Sequence, residues 1–258
     1  MSKNSLNLTK DPISVLFVKI AIPSSVGTVF MTLYNLVDTY FAGKISAEAL
    51  AALAQTFPVY FIIIAIGVGL SIGTTSLIAN ALGEKDQKKG SYYLAQSIGL
   101  SIITSILVSL VGIYFGPSII LLMNDSEVTM KLSMEYLNII FLGSIFILVQ
   151  MTMNSSLSAI GDTKSNRNVL IVSFFLNILL NPLFIFGYGI IPAMGIKGIA
   201  VSTITSQALG TFYIIYKVYK TEFKEYLYLQ CFKPKLKILL DLLSQGIPAA
   251  LGMMMISV

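Results

Sequence analysis

Long apolar blocks alternate with short polar segments along the whole chain. The blocks lie near residues 13–42, 51–82, 92–116, 134–160, 168–189 and 196–219, and another runs from 236 to the end. A helix needs about 20 apolar residues to cross the hydrocarbon core of a bilayer. The pattern therefore predicts an all-α polytopic membrane protein: a six-helix transmembrane bundle plus the start of a seventh helix. The first two blocks exceed one crossing, so tilt, kinks or polar ends must absorb the excess. Four segments follow from the same pattern: a polar N-terminal segment 1–12, a six-helix lobe 13–219, a linker 220–235, and the start of a second lobe at 236–258.

Charge sets the expected orientation. With the N-terminus inside, the inner segments carry thirteen Lys and Arg residues, among them Lys85, Lys88, Lys89, Arg167 and the linker lysines. The outer segments carry three: Lys44, Lys131 and Lys197. Positive charge accumulates on the cytoplasmic side of membrane proteins, which places the N-terminus there. Lys19 falls within the first block, close enough to its inner end to reach the headgroups. Trp is absent, so Tyr92, Tyr93, Tyr213, Tyr216 and Tyr219 are the expected interfacial aromatics.

Composition narrows the chemistry. The 258 residues are 55% hydrophobic and 11% charged, with a mean hydropathy of +0.83; a soluble domain carries about 25% charged residues. There is no His and a single Cys, Cys231. Imidazole chemistry, Ser-His-Asp triads, His-rich metal sites and an intrachain disulfide are thereby excluded. The polar start runs into an apolar block too long for the core of a cleaved signal peptide. The sequence "GLSIGTTS" lies inside an apolar block and lacks the Lys of a phosphate-binding loop. No enzyme activity and no cofactor are expected. The net charge of +5 reflects topology rather than nucleic-acid binding.

One motif occurs twice. "IPSSVG" at 22–27 and "IPAALG" at 247–252 share the pattern I-P-x-x-x-G, and each opens an odd-numbered span. Six spans separate them, as expected for parallel repeats of six-span halves. The last residues, "ALGMMMISV", stop in mid-span. A helix ending in hydrocarbon would leave its last four carbonyls without partners. The expectation is one half of a larger architecture, with a C-terminal lobe as its missing partner.

The candidate chemistry lies in the rare polar residues of the spans. Asp38 is the one acid backed by a long apolar run. A carboxylate at mid-bilayer costs about 2.5–3.5 kcal/mol on insertion scales, so it marks an ion or proton site. The alternative is an aspartate at the outer interface, wetted by headgroups. In the fifth block, Asn177 and Asn181 are spaced i, i+4 and share a helix face. Pro182 follows at once and frees the carbonyl of Ile178. Thr203 in the sixth block could add a hydroxyl. Asp38, Asn177 and Asn181, with Thr203 and the freed carbonyl, offer the oxygen ligands a hard cation such as Na+ takes. Desolvation of a carboxyl favours its neutral form, which makes H+ the other possibility. Pro23 frees the carbonyl of Lys19 and puts a hinge in the first span. Asp38 lies 15 residues further on, about 22 Å along a helix.

Four stretches together resemble the multidrug and toxic compound extrusion family, the MATE transporters: "IAIPSSVGTVFMTLYNLVDTYFAGKI", "LSIGTTSLIANALGEKD", "LSAIGDTKSNRN" and "LNILLNPLFIFGYGIIPAMGIKGIAVST". The resemblance covers essentially the whole chain, in register with the family's N-terminal half. It implies one of two six-helix bundles facing a central cavity. It also implies cation-coupled antiport, by H+ or Na+, that exports amphipathic, often cationic compounds across a bacterial plasma membrane. Asp38 then matches the first-span aspartate of the cation or proton site, Asn177 and Asn181 the fifth-span polar pair, and Thr203 a sixth-span hydroxyl. Pro23 matches a first-span proline whose bending is linked to protonation. Some branches carry an acid where this chain has Asn181, so Asp38 stands here as the only proton carrier of the cluster. Two other readings share this pattern: a lipid-linked sugar flippase of the same superfamily, and a half-length subunit that works only with a partner.

Overall fold

The computed structural model describes residues 12–123 and 126–256. The expected N-terminal segment 1–12 lies outside the described residues except for Pro12, as do Asp125, Ser257 and Val258. Seven helices are long and apolar enough to cross a membrane. They are α1 (Ile13–Ile45), α2 (Ala47–Gly83), α3 (Gln87–Met123), α4 (Glu127–Ala159), α5 (Lys164–Phe186) and α6 (Ile196–Tyr219), followed by α7 (Leu236–Ile256). The six-span reading plus a seventh start stands.

The first four helices are clearly longer than their apolar blocks. α2 and α3 each have 37 residues, and α4 has 33. The apolar pattern ends where the helix leaves hydrocarbon, while the hydrogen-bonded backbone continues into polar turns such as 87–91. α5 is shifted instead, starting at Lys164 and ending at Phe186 rather than at 189. Gly187 adopts φ +76°, and a Cβ there would lie 2.7 Å from the Ala193 nitrogen. Only glycine turns the chain back at that point.

Local chemistry fixes the other ends. Ser46 breaks α1 from α2 with extended backbone, and its Oγ accepts the Ala49 N–H at 3.0 Å. Asp162 caps α5: its Oδ1 accepts the Ser165 N–H at 3.0 Å, and its Oδ2 accepts the Ser165 hydroxyl at 2.6 Å. Within α1, Phe17–Ala21 form a wide π turn just ahead of Pro23. Pro23 cannot donate, and the wide turn lets the helix continue through that missing bond.

α1, α5, α6, α4 and α2 form a ring in that order, and α1 meets α2 only lightly where it closes. α3 lies outside, against α2 and α4, and α7 lies along α2. Leu110, Tyr114 and Leu122 of α3 are exposed, as a lipid-facing helix requires. Lipid tails are as apolar as leucine, so burial drives this association less than close packing does. Close packing is visible at Gly198 of α6, where a Cβ would lie 2.6 Å from the Ile185 nitrogen of α5. α2 and α7 meet likewise, backbone to backbone: a Cβ on Gly69 would lie 2.6 Å from the Gly246 carbonyl oxygen. The ring leaves an interior lined by α1, α2, α4, α5 and α6, and that interior holds the polar residues.

Candidate functional site

Asp38 is 6% exposed and is the only acidic or basic residue among the buried described residues. It is buried between helices, in the last two turns of α1. Three side chains from two other helices converge on it. The Asn177 and Asn181 amides of α5 each donate from Nδ2 to Asp38 Oδ1 at 2.8 Å. Asn181 Nδ2 also donates to Asn177 Oδ1 at 3.1 Å. From α6, the Thr203 hydroxyl donates to Asp38 Oδ2 at 3.3 Å. Asn177, Asn181 and Thr203 are all buried.

The i, i+4 spacing of the two asparagines produces this arrangement directly. Successive turns of α5 stack both amides on the face that meets α1. The close α5–α6 approach at Gly198 brings Thr203, a little over one turn further along α6, to the second carboxylate oxygen. Pro182 lies within α5, and the helix continues past it to Phe186. Pro23 is buried in α1, near the opposite end from Asp38.

The structure adds residues that the sequence did not single out. Tyr34, Tyr60, Thr56 and Tyr136 line a small cavity with Asp38, about 90 Å³ in volume. Tyr34 precedes Asp38 by one helical turn, the one signal that could have marked it. Tyrosines in a membrane helix otherwise read as interfacial residues. Tyr34, Asn35 and Tyr60 also border a larger cavity of about 250 Å³ that runs along the ring interior. Its walls carry Gln150, Asn154, Asn166, Ser173 and Gln207, with no Lys or Arg among them.

The donor set is all oxygen and amide, which suits H+ or a hard alkali cation. Asn181 Oδ1 is buried without a hydrogen-bond partner. A buried acceptor without a partner, on an amide next to a carboxylate, fits the donor set of such a cation site. Both amides now turn nitrogen toward Asp38. Half a turn about the terminal bond would present oxygen instead, so Na+ could be held by Asp38, Asn177 and Asn181.

A family model described as MatE matches residues 23–183, from the α1 proline to the residue after Pro182. The chain belongs to the MATE family. Its relatives agree with that membership. The multidrug export protein MepA of Staphylococcus aureus is 27% identical over 244 residues, 94% of this chain and 53% of MepA. A FAD transporter of Shewanella oneidensis is 28% identical over 204 residues, 79% of this chain and 45% of that protein. The outward-facing structure of a multidrug resistance MATE family transporter matches with a TM-score of 0.82 at 29% identity, covering 92% of this chain and 52% of that one. A superfamily transporter from Pyrococcus furiosus, described as having a binding pocket of reverse polarity, matches with a TM-score of 0.86 at 27% identity, covering 98% and 55%. The MATE chain thus spans about half the length of the curated relatives it matches. It is a multi-pass membrane protein of a transporter family.

Proposed function

We propose that the MATE chain supplies the ion-coupling bundle of a secondary antiporter. H+ or Na+ enters at Asp38 and drives export of amphipathic, often cationic compounds across a bacterial plasma membrane, with the N-terminus cytoplasmic. The observation that carries this reading is the buried Asp38 carboxylate held by Asn177, Asn181 and Thr203.

The geometry explains how an ion at this point would act on the bundle. An unprotonated Asp38 ties α1 to α5 through two hydrogen bonds and to α6 through one. A proton arriving on Oδ2 makes that oxygen a donor, so Thr203 must turn to accept. A proton arriving on Oδ1 displaces the amides. Sodium requires both amides to rotate. Each event loosens the α1–α5 tie at one end of α1, while the π turn and Pro23 give the other end its freedom. Export cargo would occupy the larger cavity, whose amides and hydroxyls neighbour Asp38 through Tyr34 and Tyr60. The relatives named for multidrug export and for FAD transport carry different cargo, so cargo is best assigned by a substrate panel. A lipid-linked sugar flippase needs cations facing its cavity for phosphate. Here the larger cavity carries no Lys or Arg among its lining residues, which favours the antiporter.

The test is Asp38→Asn in the full-length protein, reconstituted with an imposed pH or sodium gradient. Gradient-driven efflux should vanish while expression and folding persist. Undiminished efflux would remove Asp38 from the coupling step. Running the wild type with one gradient at a time separates H+ from Na+.

A further inference from the structure

The linker between α6 and α7 is held in place. It contains two short turns, Glu222–Tyr226 and Leu229–Phe232. Gln96 of α3 is 2% exposed and uses both ends of its amide on this linker. Its Nε2 donates to the Cys231 carbonyl at 2.5 Å and to the Lys233 carbonyl at 2.8 Å. Its Oε1 accepts the Lys235 N–H at 2.9 Å. Gln87 adds a second tie, donating to Glu222. Phe223 is buried beneath.

Between this fixed wall and the first turns of α3 lies a cavity of about 260 Å³, lined by Asp86, Lys88, Lys89, Tyr92, Tyr226, Tyr228 and Cys231. Two acids lie close by, and both bond to Lys89. Asp86 Oδ1 accepts the Lys89 N–H at 2.8 Å and so caps α3, and Glu84 holds the Lys89 ammonium at 2.6 Å. Lys88 and Lys235 form no ion pair with any described residue. The Lys235 ammonium rests 4.9 Å from the ring centroid of Tyr92, one of the lining residues. Two ammonium groups outside any ion pair and three phenols around a preformed hollow offer donors for a phosphate, and with Lys89 they outnumber the single carboxylate of Asp86.

Depth identifies the source of that phosphate. Tyr92 stands where the apolar part of α3 begins. At the same end of the bundle, Lys217, Lys220 and Lys224 lie 5.5, 4.4 and 4.1 Å from the ring centroids of Tyr213, Tyr216 and Tyr219. Long cations folded over tyrosines at a helix end mark the headgroup layer. We infer that this cavity binds the phosphate of an anionic phospholipid headgroup, with Lys88 and Lys235 as its charge partners. A zwitterionic headgroup would bring its own cation against the two lysines. The inference is independent of the coupling chemistry at Asp38.

Cys231 lines the cavity and so reports on its occupancy. The full-length protein is placed in nanodiscs of phosphatidylcholine, with or without phosphatidylglycerol, and labelling of Cys231 by a thiol reagent is followed by peptide mass. Phosphatidylglycerol should slow labelling about fivefold, as anionic headgroups drawn to juxtamembrane lysines would. The Lys88→Gln/Lys235→Gln double variant should lose that protection and label at the wild-type rate in phosphatidylcholine alone. A third arm adds inorganic phosphate to phosphatidylcholine discs and should change nothing. Protection by inorganic phosphate without protection by phosphatidylglycerol would overturn the lipid assignment. Equal rates in all three arms, or protection that survives the double variant, would overturn the site.

Discussion

Asp38 is met by donors of unequal strength, and their ranking is testable. Asn177 and Asn181 each donate to Oδ1 at 2.8 Å, whereas Thr203 reaches Oδ2 at 3.3 Å. Hydrogen bonds to a charged group contribute about 1.5–3 kcal/mol each. Asn177→Ala and Asn181→Ala should each shift the half-saturating concentration of the coupling ion by roughly tenfold or more, since 1.4 kcal/mol is a factor of ten. Thr203→Val should cost less than either. Ion titration of efflux in proteoliposomes gives the order, and a larger loss for Thr203→Val would show that Oδ2 governs the site. The double asparagine variant should fall short of the sum of the singles, because Asn181 also donates to Asn177. This cluster was legible in the sequence because polar side chains are costly in an apolar span and i, i+4 spacing aligns them. The tyrosines around Asp38 were not legible, since their partner helices are distant in sequence and phenols are common at interfaces.

At the scale of helices, two close approaches organise the bundle. Gly198 lets α6 touch the α5 backbone, and Gly69 lets α2 touch α7. Overpacking such contacts costs about 1–3 kcal/mol. Gly198→Val should lower the thermal midpoint in detergent and weaken transport together, because it also displaces Thr203 from Asp38. Gly69→Val should lower the midpoint while leaving ion affinity at Asp38 intact. Equal loss of ion affinity in both variants would mean that the α2–α7 contact also shapes the site. A separate expectation concerns Gln96. Gln96→Leu keeps the bulk of the side chain and removes its donors and acceptor, so Cys231 should label faster even in neutral lipid; an unaltered rate would show that the linker is held by other contacts. Element number and order were readable from the apolar blocks. Helix lengths were not, because the blocks record the thickness of hydrocarbon rather than the reach of backbone hydrogen bonding. Gln96 gave no local signal either, since its partners are main-chain groups 135 to 139 residues away.

Over the whole molecule, the orientation expected from charge can be tested directly. Single cysteines placed at 85 and at 189 in a Cys231→Ser background should label from opposite sides, with position 85 cytoplasmic. Labelling of both from one side would break the span count, and position 85 labelling from outside would reverse the orientation. The closed ring of five helices with α3 and α7 outside it is a property of packing, which hydropathy along the chain does not encode. Asp38 is the only buried acid among the described residues, and this matters at the scale of the molecule. If the bundle couples transport as proposed, a cluster with one carboxylate, and an amide at Asn181, takes up one elementary charge per cycle. Against 100 mV, that charge releases about 2.3 kcal/mol, enough for roughly 50-fold accumulation of a neutral cargo. A singly positive cargo leaving as one cation enters makes the exchange electrically silent. Clamping the membrane voltage at zero should therefore slow export of neutral compounds and leave export of monocations, driven by the ion's concentration difference alone, at its full rate.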